Sequence, residues 1–216
     1  MIDFLRSTLF QVEDYLYTGG IVMMPLVLVS LIMWLLIMDR AIFFRRLYRK
    51  NMSFQVAWEH VSAGRMPDPG RFGGAISLLV ARFLAVRSGD RVLDRFILDE
   101  TVQRINRSMN DYLSVIGILA AVAPLLGLLG TVTGMIATFD VLAVFGTGNA
   151  KAMAGGISEA LITTQTGLLV AIPGLYMKGF LERRARSLQQ RIAAAGYYLR
   201  RQLNIGVYGR TGETVS

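Results

Sequence analysis

The chain is predicted to be an all-α membrane protein with three transmembrane helices, the second and third extending into a cytoplasmic helical bundle. Two observations carry that prediction. Its 216 residues are 53% hydrophobic with a mean hydropathy of +0.46, too apolar for an ordinary soluble domain. The apolar residues are also gathered in three stretches about one bilayer long, with Lys and Arg concentrated on one side of them.

Residues 1–19 are net acidic, with Asp3, Glu13 and Asp14 against Arg6. No basic region precedes the first apolar run and no small-residue cleavage site follows it. The segment therefore reads as an amphipathic periplasmic arm rather than a cleaved leader. The first span, residues 20–38 (GIVMMPLVLVSLIMWLLIM), has no charge, and at ~1.5 Å per residue it matches the thickness of a bilayer. Pro25 falls in its first turns, where a missing N–H costs little.

Residues 39–112 follow as a cytoplasmic helical loop. Its clearest non-helical stretch is 63–74, AGRMPDPGRFGG. Within 91–110 apolar residues recur at Val92, Phe96, Ile97, Ile105 and Met109, a helix expected to run straight into the second span, 113–139. Residues 140–155 form a short periplasmic connector and 156–180 the third span. In the cytoplasmic C-terminal helix and tail, 181–216, Leu181, Ala185, Leu188, Ile192, Ala195 and Leu199 follow a seven-residue spacing suited to one packed seam. From Gly206 onward the chain reads as frayed.

The charges set the orientation. Nearly all Lys and Arg lie in 39–111 or from Lys178 onward, whereas the connector has only Lys151 and the N-terminal arm only Arg6. The positive-inside rule then places the N-terminus in the periplasm and the C-terminus in the cytoplasm. Topology thus accounts for the formal charge of +8 and the pI of about 10.2. Membrane lipid is the expected surface partner, and nucleic acid is not.

The second and third spans contain more than an anchor needs. Residues 123–139 read APLLGLLGTVTGMIATF and residues 156–174 read GISEALITTQTGLLVAIPG. Polar groups in hydrocarbon cost free energy unless they face protein or water, so they point to a functional site. At helical spacing Gly117, Ala121, Pro124, Gly127, Thr131, Gly134 and Thr138 form one stripe, and Ala160, Thr164, Gly167, Ala171 and Gly174 form another. Small residues let helix backbones approach closely in lipid, and that packing reading takes in Gly127, Gly130, Gly134, Gly167, Pro124 and Pro173. The threonines add hydroxyls that can hold ordered water along a narrow wet path.

The candidate pathway residues are therefore Thr131, Thr164 and Glu159, joined by Thr163 and Thr138. Glu159 is the one carboxyl well inside a span. It shares a helix face with Thr163 and Thr166, while Thr164 lies about 140° around from it. It is either a cation-attracting group or an interfacial carboxylate reaching water. Pro124 and Pro173 free carbonyls that hydrate a path or simply kink a helix.

Enzyme chemistry is not expected. One His and no Cys cannot build a typical zinc site, and no metal or other cofactor is called for. The spans hold no Ser–His pair and the chain no phosphate-cradling glycine loop, so no catalytic residue is assigned.

The paired motifs P-L-L-G-L-L-G-T-V-x-G-M and G-I-x-E-A-L-x-T-T-x-x-G-L-x-V-A-I-P, with the first span GGIVMMPLVLVSLIMWLLIMDR, resemble the MotA/TolQ/ExbB proton-channel family, and its ExbB/TolQ branch in particular. The resemblance covers most of the chain. It implies an inner-membrane oligomeric ring, usually a homopentamer, around an ExbD/TolR-like single-span partner that supplies the essential membrane aspartate. It also implies a TonB- or TolA-like transducer that carries proton-driven work to the outer membrane. By motif position, Thr131 and Thr164 match the family's two pore threonines, and Glu159 matches the glutamate near the entrance. Met24 stands where Trp often precedes the first-span proline, and Asp39 replaces the usual Glu before Arg40; neither touches the pore motif.

Two other readings compete. One is a structural oligomeric scaffold without ion conduction, and the other a motility-type stator subunit, whose branch has a fourth span that this chain lacks. A conventional secondary transporter fits less well, because three spans give no inverted repeat.

Overall fold

Long runs of Leu, Ile, Val, Met and Ala leave the backbone one economical way to satisfy its amides out of water, which is helix. The computed structural model describes residues 18–48, 52–68, 70, 72–146 and 149–211. In chain order the helices are α1 (Gly20–Tyr48), α2 (Phe54–Ala63), α3 (Ala75–Val86), α4 (Arg91–Asn110), α5 (Leu113–Phe145) and α6 (Ala150–Thr211). Among the described residues there is no strand. Three helical stretches, starting at Gly20, Val92 and Ala150, are long and apolar enough to cross a membrane. Most of the N-terminal arm expected over 1–19 lies outside the described residues.

Helix ends differ from expectation in three places. First, α5 runs on to Phe145 and α6 already starts at Ala150, so most of the expected 140–155 connector is helical. Second, α6 is helical through Thr211, past the point at which the tail was expected to fray; residues 212–216 are outside the description. Third, α4 does not run straight into the second span. Asp111 has ψ 140° and Tyr112 adopts a left-handed φ of 63°, which breaks the helix. Asn110 and Asp111 both favour local side-chain bonding over continued helix.

The chain divides into two compact units, Met1–Met38 with Tyr112–Gly179, and Asp39–Asp111 with Phe180–Ser216. The second unit has a conventional core. Its largest fully buried side chains include Phe83, Leu79, Leu98, Ile105, Met109, Leu188 and Ile192. All six residues of the heptad seam, Leu181 to Leu199, are buried. On α4 the inward face is Asp94, Leu98, Thr101, Ile105 and Met109, whereas Val92 and Phe96 are exposed. The apolar repeat there marked the right helix, but its first members face outward. The reason is Asp94, which takes the inward position at that end.

Asp94 organises the turn between α3 and α4. Its Oδ2 accepts from Arg87 Nε at 3.0 Å, and its Oδ1 accepts from Ser88 N, Ser88 Oγ and Gly89 N at 2.9, 3.1 and 3.3 Å. Arg87 also donates to the Val61 carbonyl at the end of α2, at 2.8 Å. Burial alone would push the Asp94 carboxyl up; the hydrogen bonds from Arg87 and Ser88 and the Arg87 charge outweigh it and hold the carboxyl below its ordinary value. Polar contacts also fix α4 to α6: Gln189 donates to the Asn106 carbonyl at 3.0 Å, and Arg200 pairs with Asp99 at 3.1 Å.

Candidate functional site

The first unit contains the polar residues singled out in the spans. Its α5 and α6 run antiparallel with their backbones almost in contact, which only glycine permits. A Cβ on Gly134 would lie 2.6 Å from the Gly156 carbonyl oxygen and 2.8 Å from the Ala160 nitrogen. On Gly127 it would lie 3.0 Å from the Thr163 carbonyl oxygen, and on Gly167 2.7 Å from the Ala123 carbonyl oxygen. Gly130 faces the side chain of Thr163, which fills the space a Cβ would need. In lipid, where apolar burial supplies little drive, such close approach is what holds two helices together.

The threonines divide into two groups. Thr163 and Thr138 are buried in this seam, one against Gly130 and the other against Gly156. Thr163 donates to the Glu159 and Ala160 carbonyls at 3.0 and 3.1 Å, and Thr138 to the Gly134 carbonyl at 2.9 Å. Thr131 and Thr164 are half-buried and keep a side open. The Thr131 hydroxyl donates to the Leu128 carbonyl one turn back. Thr164 donates across the seam to the Gly127 carbonyl at 3.0 Å and within α6 to the Ala160 carbonyl at 3.2 Å.

Each of these hydroxyls spends its proton on backbone, so it offers accepting lone pairs to whatever lies on its open side. Residues 113–139 contain no titratable side chain. Thr131 and Thr164 thus each present an uncharged acceptor, able to hold water or a cation but unable to store a proton. Pro124 and Pro173 lie inside α5 and α6, and each deprives one helix carbonyl of its usual partner. Among the described residues no group of His, Cys, Asp and Glu could hold a metal ion.

Glu159 does not share a helix face with Thr164. Its carboxylate occupies the space beside Gly20 where a Cβ would stand, at the start of α1, and Gly20 itself has a φ of 65°. The 140° offset from Thr164 is resolved because Glu159 looks toward the first span and Thr164 toward the second. At the other end of the third span, the alkyl end of Lys178 lies over Gly117 of α5; a Cβ there would be 2.7 Å from Lys178 Cε. Gly117 belonged to the small-residue stripe, so that contact was within reach of sequence reasoning. Gly20 had no such signal, because nothing local ties it to a carboxylate so distant in the chain.

Residues 75–194 match the model of the MotA/TolQ/ExbB proton channel family, a range that includes α5 and the part of α6 that carries Glu159, Thr163 and Thr164. The chain is 33% identical over 182 residues to biopolymer transport protein ExbB-like 1 of Synechocystis sp., covering 78% of this chain and 69% of that protein. It is also 33% identical over 112 residues to the biopolymer transport protein ExbB of Aquifex aeolicus, covering 52% of this chain and 72% of that one. With the ExbB of Salmonella typhimurium the identity is 38% over 95 residues, covering 43% of this chain and 38% of the other.

Proposed function

This chain belongs to the MotA/TolQ/ExbB proton channel family, and we propose from that premise that it is the ring-forming subunit of an inner-membrane motor driven by the proton-motive force. It is a multi-pass membrane protein. In this reading copies of the chain, five in the simplest case, surround an ExbD/TolR-like single-span partner. A TonB- or TolA-like transducer then carries the work outward, to move bound substrates or to maintain the envelope. The distribution of Lys and Arg supports a periplasmic N-terminus and a cytoplasmic C-terminus.

The observation that carries the proposal is the pair of uncharged acceptors at Thr131 and Thr164, each with its hydroxyl proton given to backbone, on two helices held by a close glycine seam. Such acceptors without an acid of their own suit a site whose titrating group arrives on another chain. Each protonation there changes which surroundings the partner helix prefers, and so biases its position. One charge crossing the field yields ~2.3 kcal/mol per 100 mV, so substantial work takes several protons.

The burial of Thr138 and Thr163 favours a second reading, a scaffold in which the hydroxyls only pack. The two separate in Thr131→Ala and Thr164→Ala. The motor reading expects energised function to be lost while the oligomer mass in detergent is unchanged. Normal function in both variants would sink the pathway, and loss of assembly would favour the scaffold.

A further inference from the structure

We infer that Glu159 and Lys178 are positioning residues that seat the third span at a fixed height, each side chain resting in a notch made by a glycine of another span. Glu159 takes the place of a side chain at Gly20 of α1, and Lys178 takes that place at Gly117 of α5. The two lie on one helix at ~1.5 Å per residue, hence about 28 Å apart, close to the ~30 Å of a hydrocarbon core. They also point about 100° apart around that helix, which is why they meet two different spans.

Each notch suits its charge. The Glu159 carboxylate sits at the first residue of α1, where backbone N–H groups lack intrahelical acceptors and a negative charge is favoured. Lys178 lays its alkyl stem along Gly117, as a snorkelling lysine does when its ammonium stays near the membrane boundary. One turn to either side of Gly117 stand Leu113 and Ala121, each of which carries the Cβ that Gly117 lacks. A slide of the third span by one turn therefore loses the seat. Thr164 lies on nearly the same helix face as Lys178, so the height at which its hydroxyl meets the Gly127 carbonyl is set by this seating. The inference stands whether or not the chain conducts ions.

The chain has three lysines, Lys50, Lys151 and Lys178, which makes amine labelling a direct probe. The full-length assembly in lipid nanodiscs is pulsed with an acetylating reagent and read by peptide mass spectrometry. Lys178 is expected to label severalfold more slowly than exposed Lys151, and Gly117→Ala to raise its rate severalfold while leaving Lys151 unchanged. Equal rates in the parent protein, or no response to Gly117→Ala, overturn the Lys178 seat.

For the other end, Gly20→Ala is compared by melting temperature in three backgrounds. Left-handed strain is common to all of them. The fall is expected to be largest with Glu159, nearly as large in Glu159→Gln, which keeps the shape, and clearly smaller in Glu159→Ala. Equal falls in all three overturn the Glu159 seat.

Discussion

The two compact units of this chain differ in what brings their helices together. In the first, Gly127, Gly130, Gly134 and Gly167 bring the α5 and α6 backbones together and Leu125, Leu128 and Leu169 are well exposed, while its buried large side chains include Leu26, Met33 and Ile37 of α1. In the second, Phe83, Leu98, Leu188 and Ile192 are fully buried, and ion pairs and amide hydrogen bonds tie the helices at their margins. The difference follows from the surroundings each was built for. Water drives large apolar side chains inward; lipid does not, and helices there gain by close contact of small residues. Adding bulk should therefore harm the first unit, and removing it should harm the second.

The largest expected effect is in the first unit. Gly134→Leu or Gly167→Leu drives a side chain into backbone atoms of the facing helix, so a loss above about 4 kcal/mol is expected, seen as loss of the intact oligomer by native mass spectrometry. Gly179→Ala is its control: nothing lies within 4 Å of that position, and a helical Gly→Ala change there should be neutral or add up to ~1 kcal/mol. If both kinds of substitution behave alike, the glycine seam is not what holds the first unit together.

Next comes Phe83→Ala, which empties the core of the second unit. About 3–5 kcal/mol is expected, read as faster amide exchange across α3. A smaller effect follows Asp94→Asn, at about 1–3 kcal/mol, because the Arg87 and Ser88 donors lose their anionic acceptor. The pH dependence has a definite sign. The Asp94 carboxyl is held below its ordinary value, so its contribution is complete above the unfolded value of about 3.9 and is lost as pH falls through the lower folded value. Thermal melts should show the parent and the variant drawing together only in strong acid.

Much of this architecture was legible from residue order. Leu181 to Leu199 announced a seam by period alone, and all six are buried. The same method went astray at Val92 and Phe96, because it counts apolar residues and cannot see that a fully bonded Asp94 has taken the inward position. The break at Tyr112 was invisible for a different reason: a left-handed tyrosine is not a local preference. Among the polar residues, spacing separated Glu159 from Thr164 by face. It also put Thr163 on the Glu159 face and Thr164 on another, but did not tell which hydroxyl is enclosed, which only the position of Gly130 shows.

That neighbouring pair provides the sharpest test. Proton flux per assembled complex is measured in vesicles for Thr164→Ala and Thr163→Ala, each normalised to oligomer mass. The account predicts that Thr164→Ala removes most of the flux at unchanged mass, whereas Thr163→Ala weakens assembly and leaves flux per remaining complex near the parent value. The reverse pattern, with flux lost through the enclosed hydroxyl and kept without the open one, would contradict it.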